Sequence, residues 1–121
     1  MNIEQLRNYC IKKKAVTEEF PFDEHTLVFK VLGKMFVIAP LNKWEQGEAS
    51  ITLKCDPDYT IALRERYESI YAGPYVSNKH WNSVAFYKGE LQPKFILELI
   101  DHSYDMVVKA MPKKLRSQLE N

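Results

Sequence analysis

Residues 26–40 read TLVFKVLGKMFVIAP, and this stretch decides the fold. Residues 26–32 are rich in β-branched and aromatic side chains, which favour a strand. Gly33 and Lys34 follow as a two-residue loop, and glycine at the first position of such a loop favours a type II′ turn. Residues 35–40 are continuously apolar, as is typical of a strand inside a sheet. The stretch therefore predicts an antiparallel hairpin.

The sequence after the hairpin predicts a third strand and a helix. Residues 40–47 (PLNKWEQG) are polar and rich in turn formers, so we expect a long loop there. In residues 48–54 apolar and polar side chains alternate, as they do in a half-buried strand. Asp56 followed by Pro57 is a typical helix start, because aspartate caps the first turn and proline suits the first helical position. We therefore expect a helix over residues 57–68.

The N-terminal residues predict another helix. Asn2 and Gln5 have the spacing of a capping box, in which each residue satisfies a backbone N–H group of the other. Apolar residues then recur at helical spacing, so we expect a helix over residues 3–14. It would close on three consecutive lysines, which suit the negative end of the helix dipole.

The second half of the chain predicts two further strands and the longest helix. A turn with a short edge strand is expected at residues 72–77, and a strand at residues 82–87. From Pro93 an apolar stripe of helical period continues until Pro112 ends it. A short basic tail helix is expected at residues 113–119.

The resulting element order is α-β-β-β-α-β-β-α. An antiparallel sheet packed against helices in this way is an α+β fold. The chain has 121 residues, which is the size of one domain, so we expect residues 1–121 to form a single one.

Composition excludes several classes of protein. Hydrophobic residues make up 45% and charged residues 27%, which is typical of a soluble globular chain and not of a disordered one. No stretch reaches the roughly 18 apolar residues that a membrane helix needs. The N-terminus does not resemble a signal peptide, and Cys10 and Cys55 each stand alone, so we expect two free thiols in a cytoplasmic protein. The net charge is +1, so attraction to an anionic partner must come from local clustering.

Catalytic and metal-binding patterns are absent from the sequence. Asp101, His102 and Ser103 are the residue types of a hydrolase triad, but neighbours on a helix point about 100° apart and cannot form the relay. We expect His102 on the solvent face and Ser103 in the core. The spacing of His25, His80 and His102 matches no metal motif, and four glycines leave no phosphate loop. We therefore expect neither an enzyme nor a metal or cofactor.

One segment has the composition of a nucleic-acid surface. Residues 69–89 contain no Asp or Glu, but they combine basic residues with several aromatic side chains. Cations can contact phosphates, and rings can stack on bases. The alternative is that the aromatic residues are core, with Trp81 anchoring the sheet to the long helix. The candidate contact residues here are Asn78, Lys79, His80, Trp81 and Asn82.

The loop at residues 40–47 is a second candidate. Lys43 and Trp44 are expected at its tip, where they would form a DNA-contacting wing or a protein contact. The alternative is that the loop folds back over the edge of the sheet.

The chain also resembles the MmcQ/YjbR family, with matching blocks in order along nearly its whole length. These blocks are FPFDE at 20–24, KVLGKMF at 30–36, LKCDP at 53–57, SNKHWNSV at 77–84, LIDHSYDMVV at 99–108 and MPKKLR at 111–116. The resemblance implies an α+β fold related to the CyaY-like and secretion-chaperone-like architectures. It also implies DNA binding through a double-wing arrangement, without catalytic residues or a cofactor. Lys34, Lys54 and residues 78–81 fall in family-pattern blocks.

The leading hypothesis is a non-catalytic DNA-binding protein whose contacts are mostly to phosphates, so that binding is weak and sensitive to salt. The candidate contacts are Lys34, Lys43, Trp44, Lys54, Asn78, Lys79, His80, Trp81 and Asn82, with Lys113, Lys114 and Arg116 in the tail. One alternative is a protein-interaction module resembling secretion chaperones, often dimeric. Another is a small-molecule binder whose pocket is lined by Tyr71, Tyr75, His80 and Trp81.

Overall fold

A computed structural model describes residues 1–120, which contain six strands and five α-helices. The helices are α1 (Ile3–Ile11), α2 (Leu41–Glu45), α3 (Pro57–Arg66), α4 (Pro93–Lys109) and α5 (Lys113–Arg116). The strands are β1 (Val16–Glu19), β2 (Thr26–Val31), β3 (Lys34–Pro40), β4 (Ser50–Lys54), β5 (Ile70–Ala72) and β6 (Trp81–Ala85). Short 3₁₀ helices follow β6 and α5, at Phe86–Lys88 and Ser117–Glu120.

The six strands form one antiparallel sheet in the order β1-β2-β3-β4-β6-β5. Alternate strand positions, such as Ile51 and Leu53 of β4, join a single core with apolar residues of α1, α3 and α4. Successive strand residues point to opposite faces, so these helices cover one face of the sheet. The predicted α+β class and single domain are confirmed.

Helix α4 is fixed to the sheet by a buried serine. The hydroxyl of Ser103 donates to the carbonyl oxygen of Phe36 at 2.6 Å and accepts from the backbone N–H of Lys54 at 2.9 Å. Ser103 is fully buried, as predicted. The expectation for His102 is wrong, because it is half-buried and its Nε2 accepts from the backbone N–H of Asp56 at 3.1 Å. His102 thereby holds the residue that caps α3.

Helix α1 is joined to α4 by a polar cluster. The Tyr9 hydroxyl donates to Asp101 Oδ1 at 2.7 Å, and Lys13 Nζ lies 2.5 Å from the same oxygen. Burial and the hydrogen bond to Asp101 raise the pKa of Tyr9 to about 12. Helix α1 ends at Ile11 and not at residue 14, because the chain turns through Ala15, whose φ is 61°. The capping box of Asn2 and Gln5 is confirmed.

Strand β1 and helix α2 were not predicted from the sequence, and the edge strand expected at residues 72–77 is instead β5 at Ile70–Ala72. Strand β1 is short and, within residues 1–120, pairs with β2 alone. Its carboxylates are held by cations, Glu18 by Arg7 and Glu19 by Lys30. The expected loop at 40–47 contains α2, in which Leu41 and Trp44 lie on one helical face and pack against the core. The packing of these two residues explains why a polar stretch is helical.

The hairpin turn lies one residue earlier than predicted. Val31 pairs with Lys34, so the two loop residues are Leu32 and Gly33, with φ values of 48° and 83°. Positive φ at both positions is typical of a type I′ turn, whose twist matches that of the flanking strands. Lys34 therefore begins β3.

Within residues 1–120, no helix combines the length and apolar character that crossing a membrane would require.

Candidate functional site

A cleft of about 300 Å³ lies where the ends of three strands meet the C-terminal end of α4. We call it the sheet-end cleft. Its sheet wall consists of Lys34, Met35, Lys54 and Trp81, and its helix wall consists of Val107, Ala110, Met111 and Pro112. Three of the predicted contact residues, Lys34, Lys54 and Trp81, are thus brought together.

Sheet register explains why residues so far apart in sequence converge. Lys34 is the first residue of β3, Lys54 the last of β4 and Trp81 the first of β6. Because neighbouring strands are antiparallel, these three positions lie at the same end of the sheet. Lys54 pairs directly with Trp81, so their side chains project from the same face.

The sheet-end cleft is positively charged. Its lining contains two lysines and no acidic residue. Within residues 1–120 neither Lys34 nor Lys54 forms an ion pair, whereas Lys13 and Lys30 both do. The next carboxylate along the chain from Lys54 is that of Asp56, which accepts from the backbone N–H groups at the start of α3. Among the described residues, no acidic side chain therefore neutralises the two lysines of the cleft lining.

The turn before β6 is fixed beside the cleft by Arg64 of α3. The guanidinium donates to the carbonyl oxygens of Asn78 at 2.6 Å and Trp81 at 3.1 Å. The carbonyl oxygen of His80 accepts from the backbone N–H of Cys55 at 2.7 Å. These bonds leave the side chains of Asn78 and Lys79 exposed and that of His80 half-exposed. Arg64 was not predicted to be a functional residue, although it lies one helical turn after Thr60, which is buried.

Asn82 lies inside the protein and not at the predicted surface. It is 2% exposed, its Oδ1 accepts from Arg64 Nε at 2.7 Å, and its Nδ2 donates to Thr60 Oγ1 at 3.2 Å. The predicted exposure of Asn82 is wrong because successive strand residues point to opposite faces, and Asn82, which follows Trp81 on β6, points to the helix-covered face. Asn82 helps to hold α3 on the sheet and does not reach the cleft.

Lys43 and Trp44 lie at the other end of the sheet, on α2, which follows the end of β3. Trp44 Nε1 donates to the carbonyl oxygen of Ser50 at 2.9 Å, and the ring packs edge-on against Phe86 at 5.3 Å. The expectation of an exposed wing tip is wrong for Trp44, and the alternative of a segment folded back is confirmed. Lys43 is exposed but does not join the cleft lysines.

The basic tail begins at the cleft. Pro112 belongs to the helix wall, and Lys113 and Lys114 follow it directly as exposed residues of α5. Leu115 packs against the core, which holds the tail on the body of the protein. Neither Lys113 nor Lys114 forms an ion pair within residues 1–120. Arg116, the third basic residue of the tail, is half-buried.

The pocket expected for a small molecule is not formed by its predicted residues. Tyr75 is 105% exposed and Tyr71 is 43% exposed, so these rings project into solvent and do not enclose a ligand. In the described part of the chain, no three His, Cys, Asp or Glu side chains are grouped in a way that could hold a metal ion.

A second depression, of about 500 Å³, lies between α1, the end of β1 and α2. We call it the N-terminal groove. Its apolar lining comprises Ile3, Phe20, Leu27, Leu41 and Trp44, and its charged lining comprises Glu4, Arg7, Glu18 and Glu45. Phe20 is 51% exposed, and Phe22 in the same loop is 62% exposed.

Comparison with known proteins identifies relatives over most of the chain. The YjbR family model matches residues 11–106. The protein YbdF of Escherichia coli O157:H7 is 34% identical over 96 residues, which cover 78% of this chain and 75% of YbdF.

Two solved structures share the fold. The crystal structure of Deinococcus radiodurans protein DR2400, with a DUF419 domain, superposes with a TM-score of 0.87 at 33% identity, covering 98% of this chain and 88% of that one. A Pseudomonas syringae protein, structural genomics target PsR293, superposes with a TM-score of 0.70 at 25% identity, covering 88% of this chain and 98% of that one. The family resemblance inferred from the sequence blocks is confirmed.

Proposed function

The chain belongs to the YjbR family, and from that premise we propose that it is a non-catalytic protein that binds nucleic acid through the sheet-end cleft. The observation that carries the proposal is the convergence of Lys34 and Lys54 beside Trp81, in a lining without acidic residues. Lysines without a protein partner are suited to phosphate oxygens, and an aromatic ring is suited to a base.

Further lysines lie around the cleft and extend its positive charge. Lys79 lies in the turn directly before Trp81, and Lys113 and Lys114 follow the Pro112 wall. A row of such cations can follow a phosphate backbone, which supplies most of the affinity of non-specific binding. The cleft lining offers lysines and apolar side chains but no pairing of a nucleophile with a base, which favours binding without chemistry.

We also propose that the protein acts in the cytoplasm. Cys10 and Cys55 are both free and buried, which fits a reducing compartment.

The experiment is a binding measurement by fluorescence anisotropy, with labelled oligonucleotides at several salt concentrations. We expect the double variant Lys34→Ala/Lys54→Ala to bind more weakly. Its slope of log affinity against log salt should be smaller by about 1 for each lysine that contacts a phosphate. Lys43→Ala is the matched control, because it removes an exposed lysine at the other end of the sheet.

Two outcomes would contradict the proposal. One is the absence of binding at low salt. The other is binding that the double variant and Lys43→Ala reduce equally, since the cleft would then have no special part in it.

The N-terminal groove favours a second candidate function, the docking of a polypeptide segment. Its lining is mainly apolar, and exposed Phe20 extends it outward. Glu18 is paired with Arg7, but Glu4 and Glu45 form no ion pair within residues 1–120. The complementary occupant is therefore a partner segment that combines apolar side chains with Lys or Arg.

This second candidate is tested with two synthetic peptides, one alternating Leu with Lys and one alternating Leu with Glu. We expect only the Lys peptide to shift the NMR amide signals of groove residues. The double variant Glu4→Gln/Glu45→Gln should bind this peptide more weakly. Equal binding of both peptides would contradict the charge argument. A stable dimer in sedimentation, lost in Phe20→Ser, would instead identify a second copy of the chain as the occupant.

A further inference from the structure

We propose that strand β1 is a docking edge, to which an extended segment of a partner protein adds as a further antiparallel strand. This inference rests on the second candidate function and deepens it, because it states how a segment in the N-terminal groove is held. The argument depends on the outward backbone groups of β1, on the side chains beside them and on the charge around the groove.

Strand β1 is the outermost strand of the sheet, so one edge of its backbone faces away from β2. The carbonyl oxygen of Ala15 accepts from the backbone N–H of Leu32 at 3.1 Å, and Val16 then pairs with Val31. Pairs that exchange hydrogen bonds and pairs that do not alternate along an antiparallel ladder. The pair of Val16 and Val31 is therefore one that does not, and the alternation continues along β1.

The backbone groups of two β1 residues point outward as a result. Thr17 and Glu19 bond to β2, whereas the N–H and C=O groups of Val16 and Glu18 face the opposite way. Within residues 1–120 no hydrogen bond occupies these outward groups. Such an edge is a template for another strand, and extended peptides bind to sheets by pairing with groups of this kind.

The side chains of the outward residues direct an added strand toward the N-terminal groove. Val16 packs against the core, and Glu18 is paired with Arg7 of α1, so both lie on the helix-covered face. Residues directly opposite each other on antiparallel strands project from the same face. Every second residue of the added strand therefore points to the side on which Glu18 and Phe20 line the groove, and the apolar lining favours an apolar side chain there.

The carboxylates around this edge favour a basic partner. The intervening residues of the added strand lie on the opposite face beside Glu19, whose side chain is 43% exposed. On the helix-covered face the groove lining combines Glu4, Glu18 and Glu45 with Arg7, so its net charge is negative. A segment that alternates apolar residues with Lys or Arg matches both faces.

A second copy of the chain does not supply this chemistry through its own β1. Only outward residues can exchange both hydrogen bonds, so antiparallel pairing sets Glu18 of one copy against Val16 or Glu18 of the other. The first pairing places a carboxylate against an apolar side chain, and the second places like charges opposite each other. The occupant is therefore a basic segment of a different protein.

The test follows backbone amides, because strand addition protects particular ones from hydrogen exchange. The alternating Leu–Lys peptide of the groove experiment is added to isotopically labelled protein, and amide exchange is measured by NMR. We expect the amides of Val16 and Glu18 to exchange about tenfold more slowly with the peptide, because they become hydrogen-bonded. The amides of Thr17 and Glu19 are the internal control, since they already bond to β2 and should change little.

Variants of the peptide backbone separate an added strand from other modes of docking. In an alternating strand the N–H groups of the leucines point to one edge and those of the lysines to the other. With the leucines facing the groove, their N–H groups face β1 in the antiparallel arrangement. N-methylation of a central leucine should therefore weaken binding about tenfold, whereas N-methylation of a central lysine should preserve it.

Glu18→Pro tests the same edge from the side of the protein. Proline removes the outward N–H group and is tolerated at an edge, where that group has no partner in the sheet. Glu18→Ala is the matched control, since it removes the same carboxylate and keeps the N–H group. We expect Glu18→Pro to bind the Leu–Lys peptide about tenfold more weakly than Glu18→Ala. Circular dichroism melting identifies a variant that has lost its fold, and the amide exchange of the parent chain remains decisive in that case.

The outcomes separate this inference from groove docking itself. Protection of Val16 and Glu18, with binding weakened by the methylated leucine alone, supports both. If the peptide shifts groove signals but leaves the exchange of these two amides unchanged, or if both methylated peptides behave alike, the segment docks without strand addition and the inference is wrong. If the peptide does not bind at all, the inference and groove docking are both wrong. A dimer in sedimentation, with the two amides protected in the absence of peptide, would overturn the assignment to a different protein.

Discussion

Lys54 and Trp81 lie directly opposite each other on the antiparallel strands β4 and β6. Facing residues on such strands have Cβ atoms about 5 Å apart and share one face of the sheet. The positive charge and the aromatic ring of the sheet-end cleft are therefore placed by strand register and not by a mobile loop. Because Ser103 accepts from the backbone N–H of Lys54, the same position also depends on the anchoring of α4.

The anchoring serine yields the first prediction. Ser103→Ala leaves the carbonyl of Phe36 and the N–H of Lys54 without their partner in a buried site. We expect the free energy of unfolding to fall by about 1–3 kcal/mol, the usual cost of unsatisfied buried groups. Urea denaturation followed by circular dichroism measures it. Ser117→Ala is the control, because its hydroxyl is exposed and donates to the carbonyl oxygen of Lys114, so the effect should stay within about 0.5 kcal/mol. Equal losses in the two variants would contradict the role of Ser103.

Arg64 yields the second prediction. Arg64→Ala removes the donors to Asn78 and Trp81 and leaves Oδ1 of the buried Asn82 unsatisfied. We expect a loss of about 2 kcal/mol in unfolding free energy, and an altered Trp81 emission because the turn before β6 loosens. Arg64→Lys should lose most of the same stability, since lysine lacks the planar fork that bonds several acceptors.

The control for Arg64 lies two residues further along the same helix. Arg66 is exposed, and its guanidinium carbon lies 5.6 Å from the centre of the Tyr67 ring. Arg66→Ala should leave the emission of Trp81 as it is. If Arg64→Ala and Arg66→Ala changed the emission of Trp81 equally, the cause would be the loss of a cation from α3 and not the loosening of the turn before β6.

Much of the fold could be predicted because its signals are local. The hairpin and α4 follow from patterns that neighbouring residues carry, and Asp56–Pro57 marks the start of α3 correctly. The turn was misplaced by one residue because Gly33 suits either loop position, and only the pairing of Val31 with Lys34 decides between them.

The cleft was predicted only in part, because it depends on contacts between distant segments. Lys34, Lys54 and Trp81 were each candidates, but their convergence depends on strand order. Asn82 and Trp44 are chemically as suitable as their neighbours, but burial excludes Asn82 from the cleft, and the position of α2 at the other end of the sheet excludes Trp44. Burial is a tertiary property that residue type does not supply. Helix α2 was not predicted because a helix of five residues is too short to show a recurring apolar pattern in the sequence.

His102 yields a prediction about pH. Burial lowers the pKa of His102 from its ordinary value of 6.5, although the carboxylates of Asp56 and Asp105 oppose this. The folded state therefore binds fewer protons than the unfolded state near pH 6. This contribution to stability is complete above about pH 6.5 and is lost as the pH falls toward the lowered value. Protonation would also place an N–H group against the N–H of Asp56.

Urea midpoints measured between pH 8 and pH 5 test the role of His102. His102→Gln retains an acceptor but does not titrate, so its midpoints should change less over this range. His25→Gln is the control, because His25 is exposed at 56% of its side chain and lies near Glu24. It should keep the pH dependence of the parent chain. If the parent chain and His102→Gln showed the same change of urea midpoint with pH, the assignment of this pH dependence to His102 would be wrong.

The two cysteines yield the last prediction. Burial raises the pKa of Cys10 to about 12 and also raises the pKa of Cys55. Only the thiolate reacts with a disulfide reagent, so neither thiol should react rapidly in the folded protein at pH 8. In denaturant both should react at once, because both are free. Ser117→Cys places a thiol at an exposed position and should add one rapidly labelled group to the native protein. If the parent chain is labelled as fast as that variant, the packing of α1 and β4 around these thiols is looser than their burial implies.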